Sequence, residues 1–189
     1  MTILTMGHST LPIEDFLHIL EESGGPRVVD VRSIPHSRHN PQFEQRALIS
    51  ALAKARIPYH WMPMLGGLRP AMPDSVNAGW HNRSFRGYAD YMQTDEFAGA
   101  LEELIALASV APVCLLCAEA VPWRCHRSLV ADALTARGFD VEHILYTASG
   151  NIRRNPHNLT LFAKVDGVRV WYPAEADELL PAVPTSSGD

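Results

Sequence analysis

Six residues able to do chemistry fall between positions 117 and 127: Cys117, Glu119, Arg124, Cys125, His126 and Arg127. The two thiols are potential nucleophiles or soft metal ligands, and Glu119 and His126 can move protons near neutral pH. Arg124 and Arg127 carry planar forks that bind phosphate, carboxylate or sulfate bidentately. The surrounding pattern tells where such a cluster sits. Val113 to Cys117 is an apolar run of strand length, and Ala118 to Arg124 is a polar elbow. Leu129 to Leu134 continues with helix-like spacing. In open α/β sheets, ligands bind where a strand hands over to a helix, because the helix N–H groups and dipole favour an anion.

The same residue types recur at two other candidate strand exits. His8 and Ser9 follow Ile3–Gly7, and Arg32 follows Val28–Val31, with His36, Arg38 and His39 in the loop beyond. Arg127, Arg32, Arg38, Ser9 and Arg124 are therefore the expected anion-binding set. Glu119, His126 and His8 are the expected acid–base groups, and Cys125 and Cys117 the candidate nucleophiles. Each has a structural alternative. Arg127 can brace the fold by pairing with Glu119 or Asp30, His8 can cap its own helix, and cysteines are commonly just buried.

The spacing Cys114-x-x-Cys117 looks like a redox motif, but on a strand residues three apart point to opposite faces. Cys125 and His126, being consecutive, make an awkward metal pair. Adding Cys117 or His8 completes a zinc set whose spacing matches no standard motif. Neither a metal nor a cofactor is expected. Trp61, Trp80, Phe85, Tyr88 and Tyr91 offer stacking surfaces, but no basic run accompanies them, and core packing is the expectation.

The chain has 189 residues, 47% of them hydrophobic, which suits one domain with a substantial core. A formal net charge of −5 disfavours broad adhesion to nucleic acid or anionic membranes. The partner expected is a small anionic ligand; oligomeric state is left open. Three cysteines do not suit a disulfide scaffold. The first residues lack a basic n-region, and the apolar stretch Leu104 to Ala118 is interrupted by Ser109 and Pro112. A cytoplasmic protein is expected.

The elements that must position these residues alternate between strand and helix. Strands are expected at Ile3–Gly7, Val28–Val31, Pro58–Met62, Val113–Cys117 and Val141–Leu145. Ile13, Phe16, Leu17 and Leu20 mark a first helix, capped by Ser9 or Thr10 and ended by Gly24-Gly25. Ala47, Leu48, Ala51, Leu52 and Ala55 mark a second, and Tyr88–Gln93 with Glu96–Ala108 read as one broken helix. From Pro63 to Arg86 no period holds, which suggests a lid, a binding loop or a missed element. Asn151 to His157 reads as a basic loop, and Lys164–Val170 as a hairpin turning at Asp-Gly.

This alternation predicts an α/β fold, a three-layer, mostly parallel five-stranded sheet of the Rossmann-like kind, in preferred order 3-2-1-4-5. The divisions expected are an α/β domain over 1–150, a loop-and-hairpin appendage over 151–181, and a disordered tail over 182–189. His8, Ser9, Arg32, Cys117 and Glu119 would then meet at one crevice.

Several motifs carry a resemblance. Met6–Thr10, Val29–Arg38, Asn40–Phe43, Leu65–Gly67, Tyr91–Phe97 and Cys117–Ser128 resemble the domain-of-unknown-function 488 family. The similarity runs from about Ile3 to His143, with a weaker echo at Pro156–Leu159. The resemblance implies a single α/β domain of prokaryote-type cytoplasmic proteins, with the Gly-His-Ser, Asp-Val-Arg and Cys-His-Arg segments as signatures and no established activity. Cys117 to Arg124 also resembles the strand–Cys–loop–Arg–helix cradle of tyrosine phosphatases and rhodaneses, as Asp30-Val31-Arg32 resembles a rhodanese strand. Its spacing is one residue longer than the phosphatase pattern, and the loop has no glycine. The function expected is a pocket for an anionic, phosphate-bearing small molecule or nucleotide, of hydrolase or transferase type. The alternatives are a non-catalytic ligand- or nucleic-acid-binding module and rhodanese- or phosphatase-like cysteine chemistry. Whether the chain is an enzyme is left open at this point.

Overall fold

The structure is a computed structural model that describes residues 2–147 and 151–174. Five strands run parallel: β1 (Thr2–Gly7), β2 (Arg27–Asp30), β3 (Tyr59–Trp61), β4 (Val113–Cys117) and β5 (Asp140–Tyr146). A sixth, β6 (Ile152–Pro156), pairs antiparallel with β5. The helices are α1 (Ile13–Glu22), α2 (Gln45–Lys54), α3 (Arg83–Tyr91), α4 (Asp95–Val110) and α5 (Arg127–Thr135). The expected α/β class with a C-terminal hairpin is what the chain adopts.

The pleat divides the core in two. Leu4, Met6, Val28, Cys114 and Leu116 face Phe16, Ile19 and Leu20 of α1 and Leu48 and Leu52 of α2. Ile3, Val29, Val113, Leu115 and Cys117 face Leu101 and Leu104 of α4 and Leu129 and Val130 of α5. Cys114 and Cys117 thus lie in different layers, as period-2 geometry requires. Every residue of β4 is buried, which places it mid-sheet. Truncating the fully buried Leu115 to alanine would cost about 2–5 kcal/mol.

Strand order departs from the expected 3-2-1-4-5. It is 3-2-4-1-5-6, with β4 inserted between β2 and β1. Leu4 and Val28 both pair with Cys114 in register. Two fully apolar strands are interchangeable by hydrophobicity, so pattern alone cannot say which occupies the inner slot. The long return from β3 to β4 through α3 and α4 lets β4 slip between its predecessors. The consequence favours a site: the exits of β1 and β2 now flank that of β4.

Local chemistry fixes the element ends. Gly24 and Gly25 close α1 with bonds from their N–H groups to Glu21 and Leu20 carbonyls, a Schellman arrangement. Neither Ser9 nor Thr10 caps α1; its first flanking residue is Pro12, without a side-chain cap bond. The reading of one broken helix over 88–108 resolves into two, because the Thr94 hydroxyl donates to Tyr91 O at 2.7 Å and accepts from Phe97 N. The 63–86 stretch contains a 3-10 turn at Pro63–Leu65 and the start of α3. The rest is pinned by buried Asp90, which accepts from Met72 N, Ser75 Oγ and Asn77 Nδ2.

β6 occupies the stretch read from sequence as a basic loop. An edge strand exposes its polar side chains, so it carries little apolar periodicity, and charges such as Arg153 and Arg154 suit an edge. Beyond it, β7 (Lys164–Asp166) and β8 (Arg169–Trp171) form the expected hairpin. Its loop residues are Gly167 and Val168, one position past the Asp-Gly step. Val170 and Tyr172 anchor it in the α4–α5 core layer. The proposed tail at 182–189 lies outside the described residues.

Candidate functional site

A crevice of about 520 Å³ opens over the carboxyl ends of β1, β2 and β4. The turn after β1 supplies His8, Ser9 and Thr10, and the loop after β2 supplies Arg32, Ser33, Ser37 and Asn40. The β4–α5 junction supplies Cys117, Glu119, Arg124, Cys125 and His126. Gly67 and Leu68 close one side, with Ser84 and Phe85 of α3. Two glycines make the approach possible. A Cβ on Gly7 would collide with the Glu119 carbonyl, and one on Gly67 with the His126 ring.

Eight of the ten residues singled out from sequence line this cavity: Glu119, His126, His8, Cys125, Cys117, Arg32, Ser9 and Arg124. Arg127 and Arg38 do not line it. Arg38 is exposed on the β2–α2 loop. Arg127 is 1% exposed and lies beneath the elbow, where Nη2 donates to Glu119 O at 2.6 Å. It braces the turn through backbone carbonyls, not through the carboxylates of Glu119 or Asp30. Its Nε–H has no hydrogen-bond partner among the described residues.

Arg32 is held by Asp30: Nε donates to Oδ1 at 2.8 Å and Nη2 to Oδ2 at 2.6 Å. Nη1 donates to Phe43 O at 2.9 Å and meets His8 Nε2 at 3.3 Å. This buried pair fixes the guanidinium at the crevice wall but spends most of its charge internally. His8 stacks on Phe43 with ring centroids 4.0 Å apart, and its Nδ1 lies 2.9 Å from Ser9 O. Burial pushes its pKa down to about 4, and both ring nitrogens are engaged. Neutral His8 is a positioning group for the β1 exit; it is poorly suited to carrying protons near pH 7.

Cys117, Cys125 and His126 cluster at the crevice wall. Their ligating atoms lie within 4.8 Å of one another, the one such group of three among the described residues. Cys125 Sγ is 3.7 Å from His126 Nδ1, and His126 Nε2 is 3.2 Å from Val31 O. Nε2–H therefore donates to Val31, which leaves Nδ1 facing the sulfur. The two thiols are within hydrogen-bonding reach of each other. The Cys125 neighbour and burial push the Cys117 thiol up. The bond from Cys117 pulls the Cys125 thiol down against its burial, helped by His126 and Arg127. The backbone explains how consecutive residues face one centre. Cys125 is extended at φ −132°, and His126 turns helical at φ −55°.

The aromatics divide between core and rim. Trp80 packs with Phe85, Phe162 and Tyr172, and Tyr88 is fully buried with its ring 5.0 Å from that of His126. Sequence reasoning did not single out Ser33, Ser37, Asn40 or Ser84 for the crevice; the breaker-rich loop after Arg32 was the available signal.

Nor did it find a buried relay behind the site. Thr5 Oγ1 meets His143 Nδ1 at 2.8 Å, His143 Nε2 meets His157 Nδ1 at 3.0 Å, and His157 Nε2 meets Asp132 Oδ1 at 2.8 Å. Asp132 also accepts from Thr160 N, Thr160 Oγ1 and Tyr172 Oη. Every ring nitrogen is used within the relay, so it ties the C-terminal segment to β1 and β5. A second cavity of about 450 Å³ lies beside it, lined by Trp80, Trp123, His143 and His157 among others.

No helix among the described residues is long and apolar enough to cross a membrane. No curated protein and no solved structure matches the chain. A family model, described as domain of unknown function DUF488, matches residues 12–134, a span that holds α1 to α4, all but the last residue of α5, and the exits of β2 and β4 but not Gly7-His8-Ser9. On that match, covering about two thirds of its length, the chain belongs to the DUF488 family.

Proposed function

We propose that the crevice binds a small phosphate-bearing or similarly anionic molecule and acts on it as a hydrolase or transferase. One observation carries this reading. Three strand exits converge on one cavity lined by hydroxyls, two guanidinium groups and the Cys–Cys–His centre. Open α/β sheets bind ligands at this edge, and α5 opens toward it. Ser9, Ser33, Ser37 and Arg124 supply neutral and charged donors for the anion. Arg32, already paired with Asp30, adds direction more than charge. Glu119, exposed on the elbow, is the acid–base group with freedom to work.

The experiment is a thermal-shift series with phosphate, sulfate and nucleotides. A ligand that binds only the native state raises the melting temperature by mass action, about 2.7 kcal/mol of stabilisation at a hundred times Kd. Arg124→Ala should lose the shift while melting normally without ligand. An unchanged shift in that variant removes Arg124 from the site. A ligand shift with no turnover of any phosphate ester would leave a non-catalytic binding module.

A second reading rests on Cys125, a thiol on the cavity wall beside a second thiol and an imidazole at the start of a helix. That arrangement suits covalent sulfur or phosphoryl transfer. Native alkylation of Cys125 with iodoacetamide, protected by phosphate, would support it.

A further inference from the structure

We propose that Cys117, Cys125 and His126 are three protein ligands of a Zn²⁺ ion whose fourth position opens into the crevice. The proposal deepens the reading of the crevice as the working site, and rests on it. Sequence spacing argued against a metal because Cys125 and His126 are adjacent and Cys117 is eight residues earlier. The fold removes that objection. β4 ends on Cys117, the elbow folds back, and the change from extended to helical backbone at 125–126 turns both side chains to the first sulfur.

The distances suit the ion. Tetrahedral zinc with Zn–S near 2.3 Å and Zn–N near 2.0 Å places sulfur and nitrogen about 3.6 Å apart. Cys125 Sγ and His126 Nδ1 are 3.7 Å apart, and all three donors fall within 4.8 Å. His126 carries the orienting bond that ligating histidines commonly have. Its Nε2–H donates to Val31 O, which fixes the ring and directs the Nδ1 lone pair at the centre. Tyr88 and Gly67 pack against the same ring and hold its plane.

Ligand chemistry selects the metal class. Two thiolates and one imidazole suit zinc and exclude hard cations such as Mg²⁺ or Ca²⁺. With both sulfurs bound as thiolates and the imidazole neutral, the ion and its three ligands carry no net charge, so the fold buries none there. Arg127, within electrostatic range of both sulfurs and without a carboxylate partner among the described residues, adds one positive charge. The site then attracts an anion. All three ligands line the cavity, so the vacant position faces the ligand-binding space. Three protein ligands with one open position is the arrangement of catalytic zinc, where the ion polarises a phosphoryl oxygen or ionises a bound water.

The test uses the full chain, stripped with chelator and reloaded. One equivalent of Zn²⁺ should be retained through gel filtration. Co²⁺ should give tetrahedral visible bands with a thiolate-to-metal charge-transfer band in the near ultraviolet. Cys117→Ser, Cys125→Ser and His126→Ala should each lose stoichiometric metal, and Cys114→Ser should keep it. Should a ligand variant fail to fold, the cobalt spectra of the unmodified chain and of Cys114→Ser still decide whether thiolates bind the ion. No retained metal, a cobalt spectrum without thiolate charge transfer, or full retention in the Cys117 and Cys125 variants overturns the proposal. Rapid, phosphate-protected alkylation of Cys125 in a chain that never binds metal also overturns it and favours the covalent reading. The phosphate-induced melting shift of the stripped protein is measured separately. A shift without metal binding defeats zinc alone, and metal binding without any anion shift defeats the anionic-ligand reading alone.

Discussion

Arg127 Nη2 donates to the Glu119 carbonyl at 2.6 Å, so the helix that starts at the crevice holds the elbow preceding it in place. A guanidinium in that position works for the fold first. Arg127→Ala removes a fully buried side chain and frees two carbonyls in the elbow. The expected loss is about 2–4 kcal/mol, from the unsatisfied carbonyls and the space left behind. Arg124→Ala, on an exposed side chain, should stay within about 0.5 kcal/mol of the parent. Chemical denaturation of both variants checks the contrast. Equal stability of the two would mean that Arg127 is not the brace described.

His143 gives the stability a pH dependence with a definite sign. Burial lowers its pKa from 6.5 to about 4, with His157 and Arg127 acting in the same direction and Asp132 against. The unfolded chain therefore takes up a proton between pH 6.5 and 4 that the folded chain refuses. Stability is complete above pH 6.5 and falls as pH drops toward 4, by on the order of 3 kcal/mol for this group. Buried His8 acts in the same sense. Urea unfolding between pH 7.5 and pH 4 should show the decline, and His143→Asn should reduce it to the share that His8 contributes. A slope of opposite sign would contradict the assignment.

Asp132 is the anchor of the C-terminal segment. It accepts from His157, from Thr160 twice and from Tyr172. Asp132→Ala should cost about 3–5 kcal/mol, since it strands several buried donors at once. Amide exchange should accelerate first in β6 and the β7–β8 hairpin and leave β4 protected. Uniform acceleration across the sheet would mean that the relay supports the whole domain and not that segment.

Much of this arrangement is legible in the sequence. The strand runs at 3–7 and 28–31 are followed at once by His8 and Arg32, and the run at 113–117 ends on Cys117; the parallel α/β rule brings those ends to one edge. Period-2 reasoning separates Cys114 from Cys117 correctly. The sequence is silent where a property depends on three-dimensional order. Nothing in two apolar runs says that β4 and not β1 lies next to β2. Nothing in adjacency says that Cys125 and His126 face the same centre, because that depends on a backbone change between them. Arg127 and Arg124 have the same chemistry and neighbouring positions, but Arg124 ends a 3-10 turn while Arg127 starts α5 beneath the elbow, and only the backbone path between them buries one and exposes the other. β6 carries one strong apolar residue, Ile152, so an edge strand is invisible to periodicity there.

Cys114 supplies an internal control for all thiol chemistry. Burial pushes its pKa up to about 12, and it lies in the α1–α2 layer away from the crevice. Iodoacetamide should modify it only once denaturant opens the core, whereas Cys125 of the stripped protein should label in the native state. Mass spectrometry of native digests gives the order. Labelling of Cys114 ahead of Cys125 would mean that the crevice does not expose the Cys125 sulfur.

The central claim is that an anion enters the crevice over β1, β2 and β4. Titrating phosphate into isotopically labelled full-length protein and following backbone amide shifts tests it most directly. The predicted result is saturable movement confined to Ser9, Ser33, Ser37, Arg124 and His126 with their immediate neighbours, and its loss in Arg124→Ala. Movement centred instead on Trp123, His157 and Leu161 of the second cavity, or none up to millimolar phosphate, would contradict it.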